Sequence, residues 1–240
     1  MSSTPSSDEI RLRLTRVCGR MEAAAIRSNR DIHEIRLIAV SKTHPAAVVR
    51  AAIEAGVTDL GENRIQEAES KIVDVGRDVA QWHLIGHLQS NKTRRAVQLF
   101  DIVHSVDSIH LANKLEQACV DLERAQLPVL IQVDLGHEVT KSGVEEHELP
   151  ALVEAITKCA HLRLTGLMTL PPFFEDAELT RPFFIRLREL RDEYQERRVF
   201  GDHRGELSMG MTHDFEVAIE EGATLVRIGT AIFGERETHR

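Results

Sequence analysis

Lys42, Ser208, Arg227 and Thr230 carry the groups from which chemistry can be assembled in this chain. Lys42 ends the apolar run Leu37-Ile38-Ala39-Val40, and Pro45 just beyond it suits the first position of a helix. An amine delivered to the end of a buried strand is costly to desolvate in its charged form, and a neutral lysine forms a Schiff base with a carbonyl. Near the other end, Leu207-Ser208-Met209-Gly210-Met211-Thr212 and Arg227-Ile228-Gly229-Thr230 each combine a hydroxyl with a glycine. Backbone N–H groups at such turns, with hydroxyl donors beside them, make an anion site. Arg227 adds a cation that does not give up its proton. Facing a pyridine nitrogen, it keeps that nitrogen unprotonated and weakens the ring as an electron sink. An amine opposite a phosphate cradle fits an aldehyde cofactor bearing a phosphate, or a phosphorylated sugar held as an imine. The plainer alternatives are an exposed loop lysine, hydroxyls that cap turns and an arginine in a surface ion pair.

The elements that must position these groups follow from periodicity. Apolar residues from Ile10 to Ala24 recur at helical spacing, so a helix over about 8–30 precedes everything else. Strands are then predicted over 35–40, 58–61, 81–86, 101–106, 128–134, 162–170, 206–209 and 224–228. Between them helices are predicted over 46–55, 63–73, 91–99, 108–125, 146–159, 176–197 and 214–221. Eight strands in βα alternation predict a single (β/α)8 TIM barrel with an extra N-terminal helix. Residues 1–7 are expected to be a disordered N-terminus and 8–240 one domain. Ala52-Ile53-Glu54-Ala55-Gly56-Val57-Thr58 and Ala218-Ile219-Glu220-Glu221-Gly222-Ala223-Thr224 repeat one helix-end, glycine and strand-start unit. A doubly wound open sheet competes, but Ser41-Lys42-Thr43-His44-Pro45 lacks the Gly-rich first turn of that architecture. In a barrel the strand ends converge on one mouth, and the loops after strands 7 and 8 are the habitual phosphate site.

Composition limits the rest. Lys+Arg 30 against Asp+Glu 38 gives a net charge of −8, which argues against a general nucleic-acid binder. Cys18, Cys119 and Cys159 are far apart and form no disulfide framework, which fits a reducing compartment. No apolar run reaches membrane-spanning length and the N-terminus lacks a secretory pattern, so a cytoplasmic protein without membrane contact is expected.

Five motifs closely resemble the pyridoxal phosphate homeostasis protein family, whose members look like the N-terminal barrel of alanine racemase. They are Ala39-Val40-Ser41-Lys42-Thr43, Gly61-Glu62-Asn63, Trp82-His83-Leu84-Ile85-Gly86-His87-Leu88-Gln89-Ser90-Asn91-Lys92, Leu207-Ser208-Met209-Gly210-Met211 and Val226-Arg227-Ile228-Gly229-Thr230-Ala231-Ile232-Phe233-Gly234. The resemblance runs over about residues 10–236 in the family's order. It implies that Lys42 holds pyridoxal 5′-phosphate as an internal aldimine. It also implies that Ser208, Gly229 and Thr230 bind the phosphate, that Arg227 faces the ring nitrogen and that Asn63 lies near the cofactor. Thr212-His213-Asp214 stands where a serine often begins this turn, which changes the cap and leaves the other donors in place.

Other constellations are set aside. His83 and His87 are four apart but flank a strand end without an intervening glutamate, so no metal site is expected. Gln89 to Arg95 reads as a solvated helix start, and the Lys141-Ser142-Gly143 loop as a turn or part of the mouth. The loop over 198–206 reads as local variation. Two functions remain. One is a carrier that holds pyridoxal phosphate and passes it to apo-enzymes; a monomer with no catalytic residue of its own is expected. The other is an amino-acid racemase, which needs two bases on opposite faces of the substrate. The chain's one tyrosine, Tyr194, falls in a helix between strands 6 and 7, and no second domain that would bring an opposing base is expected beyond Arg240.

Overall fold

Strands buried on both sides must pair in parallel and be covered by helices, because their polar backbone has no other partner. The computed structural model, described here for residues 5–136 and 142–234, does this with β1 (Arg36–Val40), β2 (Asp59–Glu62), β3 (Gln81–Leu84), β4 (Ile102–Val106), β5 (Leu127–Gln132), β6 (Leu162–Met168), β7 (Glu206–Met211) and β8 (Leu225–Ile228). All pairings are parallel and in chain order, and β8 pairs with β1 to close the barrel. The predicted (β/α)8 fold is therefore the observed one. Around it lie α2 (Ala46–Glu54), α3 (Ile65–Val75), α4 (Thr93–Leu99), α5 (Ile109–Asp121), α6 (Leu149–Thr157), α7 (Arg181–Glu196) and α8 (Phe215–Glu220).

The extra helix α1 (Ser7–Arg27) packs against α8 and the short α9 (Thr230–Phe233). Its start corrects the expectation for residues 1–7. Ser6 accepts from the Glu9 backbone, Glu9 accepts from the Ser6 N–H, and this capping box makes Ser7 the first helical residue. Residues 1–4 lie outside the described residues.

Strand alternation sorts the core into two compartments. Ala39, Leu60, Trp82, Val129, Leu167, Leu207 and Val226 face outward into the main apolar layer beneath the helices. Ile38, Leu130, Met168 and Leu225 face inward as a small apolar cluster. The other inward phases carry Asp59, His83, His104, Gln132, Ser208 and Arg227, all buried. A barrel interior this polar is stable only where its polar groups satisfy one another.

Gly166 sets the spacing of β6 on β7. A Cβ there would stand 2.1 Å from the Glu206 carbonyl oxygen and 2.6 Å from its nitrogen. Gly166→Ala is expected to cost about 1–3 kcal/mol, since overpacking forces backbone shifts. The test is urea unfolding, with a lowered midpoint at unchanged slope; an unaltered midpoint would contradict this contact.

Candidate functional site

The mouth of the barrel is organised by what happens just after β1. The Ser41 N–H donates to the Gly61 carbonyl at 3.1 Å, extending the ladder one residue, and the His44 N–H donates back to the Ser41 carbonyl at 3.1 Å. Lys42 and Thr43 are the two central residues of that turn. Thr43 has φ +68, a left-handed conformation in which a β-branched residue is strained by about 1–3 kcal/mol. Such strain persists only where the surroundings over-determine it. Here the Thr43 N–H donates to Glu67 Oε2 of α3 at 3.0 Å.

A buried ion pair anchors the turn from below. Lys71 Nζ donates to the Ser41 carbonyl at 2.7 Å and to Glu62 Oε1 at 2.6 Å, and Ser41 Oγ donates to the same carboxylate oxygen at 2.6 Å. Burial pushes the Glu62 carboxyl above its ordinary range, and the Lys71 ammonium opposes that shift. Sequence reading placed Glu62 at a strand end but missed Lys71. The available signal was a lone lysine, nine residues after Glu62, among the inward apolar positions Ala68 and Ile72 of α3. Removing either partner alone would leave a buried charge or donor without its mate, which is where such pairs are sensitive.

Asn63 directly follows β2. Its side-chain Oδ1 is buried with no hydrogen-bond partner among the described residues, and its backbone is pressed against Gly86, where a Cβ would stand 2.4 Å from the Asn63 carbonyl oxygen. Gly229 ends β8 against the end of β1: a Cβ there would lie 3.2 Å from the Val40 carbonyl oxygen. The Gly229 N–H donates to Thr212 Oγ1 at 3.4 Å, and Thr230 opens α9, a helix absent from the sequence reading. Barrel closure thus gathers Lys42, Asn63, Thr212, Gly229 and Thr230 at the strand ends.

The structure separates Ser208 from that group. β7 runs to Met211, two residues past its predicted end, so Ser208 lies within the strand, paired with Leu225. The residue is fully buried; its Oγ accepts from Arg227 Nη1 at 2.5 Å and lies 2.9 Å from His104 Nδ1. The hydroxyl beside Gly229 belongs to Thr212. Ser208 instead fixes Arg227, whose other Nη2 donates to the Thr169 carbonyl at 2.8 Å.

Arg227 is the most expensive residue in the barrel. It is 3% exposed and has no carboxylate within ion-pair distance among the described residues. Burial pushes its guanidinium down to about 10, opposed by the field of Asp214, so it stays charged at neutral pH. From it a hydrogen-bonded chain descends to the barrel floor through Ser208, His104 and His83 to Asp59. His104 Nε2 is 2.9 Å from His83 Nδ1, and His83 Nε2 is 3.0 Å from Asp59 Oδ1. With Asp59 ionised and His104 neutral, one direction of donation satisfies every member. Arg227 donates to Ser208, Ser208 to His104, His104 to His83, and His83 to the carboxylate. Burial works to raise the Asp59 carboxyl, but hydrogen bonds from His83 and Thr58 outweigh it and hold it below its ordinary value. Burial, reinforced by the positive field of Arg227, holds His104 well below the usual imidazole range.

The remaining sequence candidates scatter. His83 is inside the barrel while His87 is exposed, 3.0 Å from Ser142 Oγ and 3.4 Å from Asp107, so the pair does not converge. Lys141 lies outside the described residues. Tyr194 is buried in α7 within the outer apolar layer.

Known proteins share this arrangement. The family model of the alanine racemase N-terminal domain matches residues 22–237, which gives the class to which this barrel belongs. A pyridoxal phosphate homeostasis protein of Aquifex aeolicus is 43% identical over 225 residues, covering 94% of this chain and 97% of that one. PipY of Synechococcus elongatus, solved with PLP bound, is 38% identical, with a TM-score of 0.78 over 94% of this chain and 100% of that chain. Alanine racemase from Corynebacterium glutamicum shares the fold, with a TM-score of 0.68 at 20% identity over 98% of this chain and 62% of that one. The chain belongs to the pyridoxal phosphate homeostasis protein family.

The depressed His104 gives a pH dependence with a definite sign. Unfolded, its imidazole takes up a proton near pH 6.5; folded, it resists. Stability is therefore full above that pH and falls as the pH drops, by up to about 1.4 kcal/mol per unit. Urea unfolding at pH 7 and pH 5 is expected to show a loss smaller by about 1–2 kcal/mol in His104→Gln than in the wild type. An equal loss in both proteins would contradict a neutral His104.

Proposed function

We propose that this protein binds pyridoxal 5′-phosphate through Lys42 and serves as a cytoplasmic, monomeric carrier that buffers the cofactor and passes it to apo-enzymes. The observation that carries this reading is the pairing of β1 with β8, which sets the Lys42 turn beside Gly229 and Thr230. The residues present fit the group. Among the described residues Asn63 Oδ1 is an unpartnered polar atom at the mouth and Arg227 is a buried cation with no carboxylate at ion-pair distance, and the Thr212–Gly229 contact offers hydroxyl and backbone donors to a phosphate.

Pyridoxal phosphate supplies an aldehyde that an amine bonds, a ring nitrogen and a phosphate dianion. The chain's own residues do the rest. The turn from Ser41 to His44 holds the Lys42 backbone, with Lys71 and Glu62 fixing it from beneath. Thr212, Gly229 and Thr230 form the phosphate cradle, and this differs from the earlier expectation in replacing Ser208 by Thr212. Arg227, held by Ser208 and Thr169, would face the ring nitrogen of a bound cofactor and deny it a proton. Such an arrangement holds the cofactor while suppressing its strongest chemistry, which suits carriage better than turnover.

A racemase-like enzyme is the second reading, because the fold is shared with alanine racemase. It needs a second base facing Lys42, and the one tyrosine of this chain is packed in the outer helical layer.

Borohydride reduction of the cofactor-loaded protein, followed by peptide mass mapping, is expected to place a pyridoxyl phosphate adduct on Lys42, and Lys42→Ala is expected to lose both adduct and visible absorbance. An undiminished adduct in that variant would defeat the proposal. Alanine racemisation by the loaded protein is expected to be far below the usual enzyme range of about 1–10³ s⁻¹; a rate within that range would favour the enzyme.

A further inference from the structure

The barrel floor, opposite the mouth, carries a feature that the mouth's chemistry does not use. The 198–206 loop, which has no role in the sequence reading, folds against the starts of β6 and β7 and the end of α7. Phe200 is buried there at 6% exposure, and Gly205 adopts φ +89 with a Cβ position only 2.5 Å from the Phe200 ring. Side-chain bulk at residue 205 would displace Phe200, so the loop's path is fixed by packing. Between loop and barrel lies a cavity of about 400 Å³.

Its lining is cationic in a chain of net charge −8. Four arginines, Arg30, Arg163, Arg191 and Arg204, face two carboxylates, Glu34 and Glu206, which leaves an excess of two positive charges. The four are not equivalent. Arg30 is pinned by donation to the Ile219 and Ala223 carbonyls at 2.8 and 2.7 Å. Arg191 is 1% exposed and pinned to the Gly205 carbonyl at 3.0 Å and to Asp192 at 2.6 Å. The side chains of Arg163 and Arg204 are exposed and form no hydrogen bond or ion pair among the described residues. Burial, followed by the like charges of Arg204 and Arg191, pushes the Arg30 guanidinium down despite Glu34. The Arg30, Arg191 and Arg204 guanidiniums repel one another, and an anion between them relieves that repulsion.

We propose that this floor cavity is a second binding site, for a small phosphate monoester. The excess of two charges matches a phosphate dianion, and the planar guanidinium fork matches its oxygens in two parallel hydrogen bonds. Phe200 and Leu164 give the cavity an apolar wall for the organic part of the ligand. The volume lies within the range of small-molecule sites. Arg163 and Arg204 supply the direct contacts, while the two pinned arginines supply field from fixed positions. The inference is independent of the carrier reading, since no residue of the mouth takes part.

Isothermal titration calorimetry with phenyl phosphate tests it, on cofactor-loaded protein so that the mouth is filled. A dissociation constant below about 1 mM is expected at low salt. The Arg163→Gln/Arg204→Gln double variant changes only exposed side chains and is expected to weaken binding by about tenfold or more. Lys114→Gln, an exposed change on α5 outside both the mouth and the cavity lining, is expected to leave it unchanged. Equal affinity in the double variant, loss of binding in Lys114→Gln, or no measurable binding to the wild type would each overturn the proposal.

Discussion

The closure of β8 onto β1 is the constraint on which the rest of this molecule depends. Ile38 pairs with Arg227 and Ala39 with Ile228, so residues almost 190 positions apart become neighbours by backbone hydrogen bonding alone. The strand ends then deliver the Lys42 turn on one side and the Gly229–Thr230 turn on the other. A single small molecule bridging amine and phosphate sites needs this adjacency, and only a closed sheet supplies it for a first and a last strand.

Closure also brings Arg227 into a barrel interior where an unpaired cation is costly. The chain through Ser208, His104 and His83 to Asp59 answers that cost by spanning the barrel from the mouth side to the floor. Every link donates in the same direction, from the guanidinium toward the carboxylate, so each bond polarises the next. The two opposite charges at its ends are too far apart for a contact ion pair, yet they compensate one another through four hydrogen bonds. Rigidity follows: Arg227 has little freedom to move, and a ring nitrogen placed against it meets a donor whose proton is not for exchange. The Thr43 strain and the Glu62–Lys71 pair do the equivalent work for Lys42. Both halves of the mouth are thus held by buried polar groups set beneath them.

Much of this was legible in the chain. The eight strands, their order and the extra helix followed from periodicity, because parallel strands buried on both faces leave continuous apolar runs such as Leu37 to Val40. Lys42 and Gly229 stood out because both follow such runs. Ser208 lies deeper than its sequence context suggests, because β7 continues past Met209 to Met211. Met211 continues the strand by pairing with Arg227, and nothing in its side chain announces that. Thr212 was consequently treated as a cap and not as the hydroxyl beside Gly229. Lys71 and the His83–His104 contact depend on which helix face and which strand phase point inward, and single residues do not reveal that before the sheet is closed. The floor cavity was invisible for a similar reason: its arginines come from the turn after α1, from β6, from α7 and from a loop, and only the fold gathers them.

The most direct measurement is a crystal structure of this protein soaked with pyridoxal phosphate. The account predicts continuous density from Lys42 Nζ to the cofactor, the ring nitrogen within hydrogen-bond distance of Arg227, and the phosphate against Thr212, Gly229 and Thr230. A cofactor bound with its phosphate elsewhere, or density on Lys42 with the ring turned away from Arg227, would contradict it.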